Sequence, residues 1–209
     1  MKLYFVSVTA LFFALLLAVL APLSLEDALT ANAITTRLDS FSQHPNQPLR
    51  KNDEQLMEAA LASSATAHQL NSIVLFDQWM SYLEKKDESY LDSQSVLQTS
   101  THIRPTWSNT YVELAKLSES KRERDRYIHL ASLFGPYAPS SRLLMIEYTF
   151  TRWEKADLDE QVLASKHLVS LARIWRHREA LETMISYSSA KQRMCNLLAF
   201  NTIRVKACV

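Results

Sequence analysis

Glu147 is the carboxylate in the most apolar neighbourhood of the chain, on one helical face with Leu143, Ile146 and Phe150. Burying a carboxyl group disfavours its charged form, raises its pKa and suits it to general-acid work. A glycosidase needs a second carboxylate at a defined distance, and spacing assigns none. A lone acid of this kind is therefore expected to pair with Arg142 or Arg152, or to point to solvent. His44, His68, His102, His129, His167 and His177 form no HExxH, and Cys195 and Cys208 lie in no CxxC, so no metal site and no cofactor are expected.

Binding chemistry is better represented than catalytic chemistry. Arg173, Arg176, His177 and Arg178 surround Trp175, a combination able to hold an anionic sugar or lipid head group by charge and stacking. The same cations are ordinary at a helix C-terminus, where they meet the negative end of the dipole. Trp79, Trp107, Trp153 and Trp175 can line a sugar-stacking groove, although filling interfaces between helices is the more general use of such residues.

Composition removes whole function classes. The chain has one glycine in 209 residues, so the Walker A loop, the dinucleotide fingerprint and the hydrolase nucleophile elbow, each needing at least two, are excluded. Apart from Lys2 the chain carries 22 Lys+Arg against 22 Asp+Glu, and a neutral body offers no electrostatic case for nucleic acid. No alternating strand pattern with hairpin turns occurs, so the expected class is all-α.

The elements that would position these residues follow from periodicity and breakers. A helix is expected over 52–86, opened by Asn52-x-x-Gln55, with Leu56, Ala60, Ser63, Ala67, Leu70 and Val74 as a narrow seam that breaks at Asp77. Residues 43–51, with Pro45 and Pro48, read as a hinge between this helix and a membrane-proximal helix over 27–41. Further helices are expected over 89–99, from Arg104-Pro105 onward, and over 121–134. The last of these is stopped by Gly135 as a left-handed cap followed by Pro136. Pro139 starts a helix to about 154, Asp157-x-x-Glu160 caps another through Trp175, and a final helix covers 179–200. The stretch from Trp107 to Pro139 is close to one tetratricopeptide unit in length, with Tyr111, Ala115 and Ala131 placed to pack a helix pair.

Residues 3–25 contain no charged side chain and, as a helix of ~1.5 Å per residue, extend about 35 Å, enough to cross a bilayer. This apolar core is too long for a cleaved signal peptide, and Pro22 follows the Val19-Leu20-Ala21 site, so a retained signal anchor is expected. Lys2 on one side, with Glu26 and Asp27 on the other, places the N-terminus in the cytoplasm and the body in the bacterial periplasm. The expected division is 1–25 anchor, 26–51 membrane-proximal helix and linker, and 52–209 helical periplasmic domain. An oxidising periplasm would let Cys195 and Cys208 bridge.

The phrases Arg104-Pro105-Thr106-Trp107 and Ala131-Ser132-Leu133-Phe134-Gly135-Pro136-Tyr137-Ala138-Pro139, followed by Trp153, resemble the VpsP-like family of small, singly anchored bacterial proteins encoded with exopolysaccharide biosynthesis genes. The resemblance covers residues 104–153, and the family often has tryptophan where this chain has Tyr137. Similar phrasing occurs in helical periplasmic repeats of oligosaccharide ligases. The resemblance implies a role in exopolysaccharide production and biofilm formation and transfers no catalytic residue. The resulting expectation is a non-catalytic scaffold whose partners are components of a polysaccharide polymerase, ligase or export complex. Arg104, Trp107, Tyr137, Trp153, Arg173, Trp175 and Arg176 are its candidate partner or glycan contacts. The alternative is a carbohydrate-active enzyme or a glycan-binding module acting on periplasmic polysaccharide.

Overall fold

A computed structural model of the protein describes residues 25–62, 66–85 and 89–208. These residues are helical throughout, with no strand among them. No described helix is long and apolar enough to cross a membrane; the anchor read over 3–25 lies outside the described residues except for Leu25. The chain divides into two compact units, one ending at Ile103 and the other beginning at Arg104. Residues 52–103 thus group with the helix before the proline link, whereas the sequence suggested a boundary after 51.

The first unit comprises α1 (residues 25–43), α2 (Asp53–Ala62), α3 (Ala67–Glu84) and α4 (Ser93–Ile103). Its core joins Ile34 and Phe41 of α1, Met57 and Ala60 of α2, and Ile73, Phe76 and Met80 of α3. Trp79 and Phe76 both stack on Phe41, at 5.7 and 5.9 Å between ring centroids. The single helix expected over 52–86 is instead two. Thr66 accepts from the Gln69 amide and Gln69 reaches back to the Thr66 amide, a capping box that starts α3 afresh. Ala60, Ala67 and Val74 of the expected seam are buried, and Asp77 lies inside the buried face rather than ending it.

Asp77 is fully buried because it serves as an anchor point. Its carboxylate accepts from the Tyr90 amide at 2.9 Å and from the Ser89 hydroxyl. Residues 89–92 are therefore a connector tied to α3, and α4 begins at Ser93 rather than at 89. Ser100 then donates to the Ala67 carbonyl at 3.2 Å, fixing α4 along α3.

The link read as a hinge, residues 43–51, is held at both ends. Arg37 donates to the Asp53 carboxylate through Nε at 3.0 Å and Nη2 at 2.8 Å, and to the Pro48 carbonyl at 3.2 Å. Gln47 bonds Ser40 at 2.8 Å. The prolines set the course of this link, and the buried ion pair staples it.

The second unit holds three successive helix pairs: α5 (Ser108–Leu117) with α6 (Lys121–Phe134), α7 (Pro139–Thr151) with α8 (Leu158–Arg173), and α9 (Trp175–Tyr187) with α10 (Lys191–Phe200). This is a repeat-like, helical-hairpin layer. Tyr111, Ala115 and Ala131 are buried in the first pair, as their types suggested. Arg104-Pro105 forms a turn, closed by the Trp107 amide on the Arg104 carbonyl at 3.1 Å, and α5 starts only at Ser108. Gly135 is not a left-handed cap: its φ is −138°. It is required by space, because a Cβ there would fall 2.5 Å from Ser108 Cβ.

The Asp157 and Glu160 capping box opens α8 as read. The final helix, however, splits into α9 and α10 at Ser188, whose hydroxyl accepts from the Ala190 amide at 3.0 Å, and α8 ends at Arg173, two residues short of Trp175. Ile146 and Phe150 of α7, Leu168 and Leu171 of α8, Leu181 and Ile185 of α9, and Met194 and Leu198 of α10 share one core. Cys195 and Cys208 are disulfide-bonded, with Cα atoms 5.4 Å apart, holding the short 3-10 turn Lys206–Cys208 against it.

Candidate functional site

Glu147 sits on α7, half-buried, one turn from the fully buried Phe150. It pairs with neither arginine expected for it. Arg152 is taken by Glu160 at 2.6 Å, and Arg142 donates to the Pro136 carbonyl at 3.0 Å. Burial pushes the Glu147 carboxyl up, while the Ser188 side chain pulls it the other way. Its Oε2 is buried without a hydrogen-bond partner. A carboxyl in this setting can hold a proton at a pH where an exposed glutamate has lost it.

Close by on the same helix, the Tyr148 hydroxyl bonds Asp125, and the Arg152 guanidinium lies 4.1 Å from the Tyr148 ring centroid. Burial, helped by the Asp125 hydrogen bond, raises the tyrosine to about 12. This cluster ties α6 to α7 and α8: Tyr148 is locked as a neutral donor and Arg152 is held in an ion pair. Its members are constrained groups rather than reactive ones.

The tryptophans have different surroundings. Trp79 belongs to the first unit's aromatic stack. Trp107 is half-buried under the Arg104 guanidinium at 4.0 Å. Trp153 packs on Phe150 with centroids 4.9 Å apart and is covered by Arg193, which also bonds Glu154 at 2.9 Å and the Phe150 carbonyl at 3.2 Å. Two of these candidate contacts, Trp107 and Trp153, thus have intramolecular packing roles. Arg193 was invisible to motif reading, since its partners lie 39 and 43 residues away.

Trp175 differs. It is 80% exposed at the first position of α9, beside Ile174 at 40%. Arg173 and Arg176 flank it, are exposed, and make no hydrogen bond or ion pair among the described residues. Arg178, by contrast, donates to the Ala172 carbonyl at 2.9 Å and so closes the C-terminus of α8. The basic cluster divides accordingly: Arg178 is structural, whereas Arg173, Trp175 and Arg176 form an open patch. Tyr137 is also largely exposed, with only the Arg142 guanidinium over its ring at 5.2 Å. Tyr187 and Phe200, which no motif singled out, are exposed at the C-termini of α9 and α10.

Among the described residues no group of three His, Cys, Asp or Glu is placed to hold a metal ion. Comparison with protein-family models, with curated proteins and with solved structures found no match.

Proposed function

We propose that this chain is a non-catalytic accessory protein of bacterial exopolysaccharide production, a member of the VpsP-like group it resembles over residues 104–153. Residues 3–25 anchor it in the inner membrane, with a short cytoplasmic N-terminus, and the helical body acts in the periplasm. The body docks on a polysaccharide polymerase, ligase or export component. The observation that carries this reading is the patch at the α8–α9 corner, where Ile174 and Trp175 project beside two uncommitted arginines. Trp and Arg dominate the energetics of protein interfaces, and an exposed apolar pair rimmed by cations is the kind of surface a partner covers. The repeat-like stack of helix pairs suits docking, and the Cys195–Cys208 bridge suits an oxidising compartment.

The test is complementation of a strain lacking the protein. Trp175→Ala combined with Arg176→Ala lowers secreted polymer to the level of the deletion while leaving the protein folded and membrane-bound. Glu147→Gln leaves polymer yield near normal. Loss of polymer in Glu147→Gln with an intact fold would replace the scaffold by the carbohydrate-active enzyme.

A second reading is favoured by the same patch: an exposed indole between two guanidinium groups also matches an acidic sugar. Retardation of purified protein by acidic exopolysaccharide in affinity electrophoresis, abolished by Trp175→Ala, would select that glycan-binding role.

A further inference from the structure

The buried arginine of the first unit is only partly satisfied. Arg37 is 4% exposed, and its Nε and Nη2 are engaged side-on by Asp53, with the Phe41 ring 4.4 Å beneath the guanidinium. A guanidinium bound through that edge directs Nη1 away from the carboxylate, and Nη1 has no hydrogen-bond partner. An ionised N–H donor buried without an acceptor is a costly arrangement that a ligand would relieve.

Arg37 lines an open groove of ≈ 750 Å³ between α1 and the start of α2, within the size range of small-molecule sites. Asn32 and Thr36 of α1 line one wall, and Arg50, Lys51 and Asn52 the other. The one carboxylate in the groove, Asp53, is fully committed: it accepts from Arg37 and from the Arg50 amide at 2.7 Å. Arg50 and Lys51 are exposed and make no ion pair among the described residues. The groove therefore presents two free cations, a third with an unused donor, and neutral amide and hydroxyl groups.

We propose that this groove binds a phosphate-class oxyanion, with Arg50 and Lys51 supplying the charge and the buried Arg37, whose Nη1 lacks a partner, lining the site. Two cations without an ion-pair partner, lining one opening beside the Arg37–Asp53 pair, match a multiply charged oxyanion better than a single carboxylate. The phosphate group has two sources, a soluble phosphate ester or a phospholipid head group. The site is built from residues of the first unit alone and does not depend on the docking reading.

The test titrates the full-length protein in nonionic detergent with inorganic phosphate, followed by calorimetry at low salt. Saturable binding is expected. It should weaken roughly tenfold or more in Arg50→Gln/Lys51→Gln, whose exposed positions leave the fold intact by circular dichroism. Arg173→Gln/Arg176→Gln should bind as the parent does. Saturation by phosphatidylglycerol in mixed micelles at lower concentration than by inorganic phosphate assigns the lipid source; saturation by glycerol 3-phosphate with no gain from the lipid assigns the soluble one. Absence of saturable phosphate binding, or binding that Arg50→Gln/Lys51→Gln leaves unchanged, overturns the proposal.

Discussion

Gly135→Ala tests how closely the first helix pair is fitted. Gly135 has φ −138° and ψ 58°, outside the left-handed region, so alanine meets no positive-φ strain there. The obstacle is space: the new Cβ would stand 2.4 Å from Ser108 Oγ, 2.5 Å from Ser108 Cβ and 3.0 Å from Ala138 Cβ. The hydroxyl can rotate away, but Ser108 Cβ is fixed to the first residue of α5. Restoring ordinary contact at ~3.5 Å requires the start of α5 and the α6–α7 turn to part by about 1 Å. Overpacking of this kind costs about 1–3 kcal/mol, and the reduced freedom of alanine in the unfolded chain offsets about 0.4–1 kcal/mol. The net loss is about 1–2 kcal/mol, and each kcal/mol lowers the melting temperature of a unit this size by roughly 4–8 °C. Ser108→Gly removes both clashing atoms, so thermal unfolding of the two single variants and the double variant forms a cycle whose coupling should recover most of the loss. A neutral or stabilising Gly135→Ala, or strict additivity with Ser108→Gly, would refute the close approach.

Three further outcomes follow from the packing and the titrating groups. Asp53→Asn strands the buried Arg37 charge and should cost about 3–5 kcal/mol in urea unfolding, whereas Arg37→Met/Asp53→Leu, which removes both charges, should cost less. Replacing Cys195 and Cys208 by serine opens a loop of sequence separation 13 and should cost about 3 kcal/mol, with no effect of reductant on the variant. Glu147 is held above its ordinary value by burial, so the folded state binds its proton more tightly than the unfolded chain does. Its contribution to stability is therefore present below pH ~4.5 and declines as pH rises through the raised folded value. Glu147→Gln should flatten that decline in denaturation curves taken across the acid range, and an unchanged slope would contradict it.

Helical class, the end of α6, the start of α8 and the disulfide pair were readable because each rests on local chemistry: the Gly135-Pro136 break, though not through a left-handed glycine, Asp157 with Glu160, and two cysteines near in sequence. Breaks set by serine and threonine were not. Thr66 and Ser188 interrupt what periodicity reads as continuous helices: the Thr66-x-x-Gln69 capping box is a local signal that the apolar seam outweighed, whereas Ser188 acts through a bond from the Ala190 amide that carries no such signature. Asp77 was misread for a related reason. A charged residue in a seam signals its end unless distant amides satisfy it, and the Tyr90 amide lies 13 residues on. The pairing of Glu147 failed because Glu160 and the Pro136 carbonyl compete for its two neighbouring arginines. The exposure of Trp175 was beyond reach of its type alone, for the same residue buried would have read identically.

The docking claim is tested most directly by placing a photoactivatable crosslinker at position 175 of the full-length protein, in cells making exopolysaccharide, and identifying the adducts by mass spectrometry. Adducts with a polysaccharide polymerase, ligase or export protein are expected from position 175 and absent when the crosslinker replaces buried-face Leu181. Adducts to cytoplasmic proteins, or the same adducts from both positions, would contradict it.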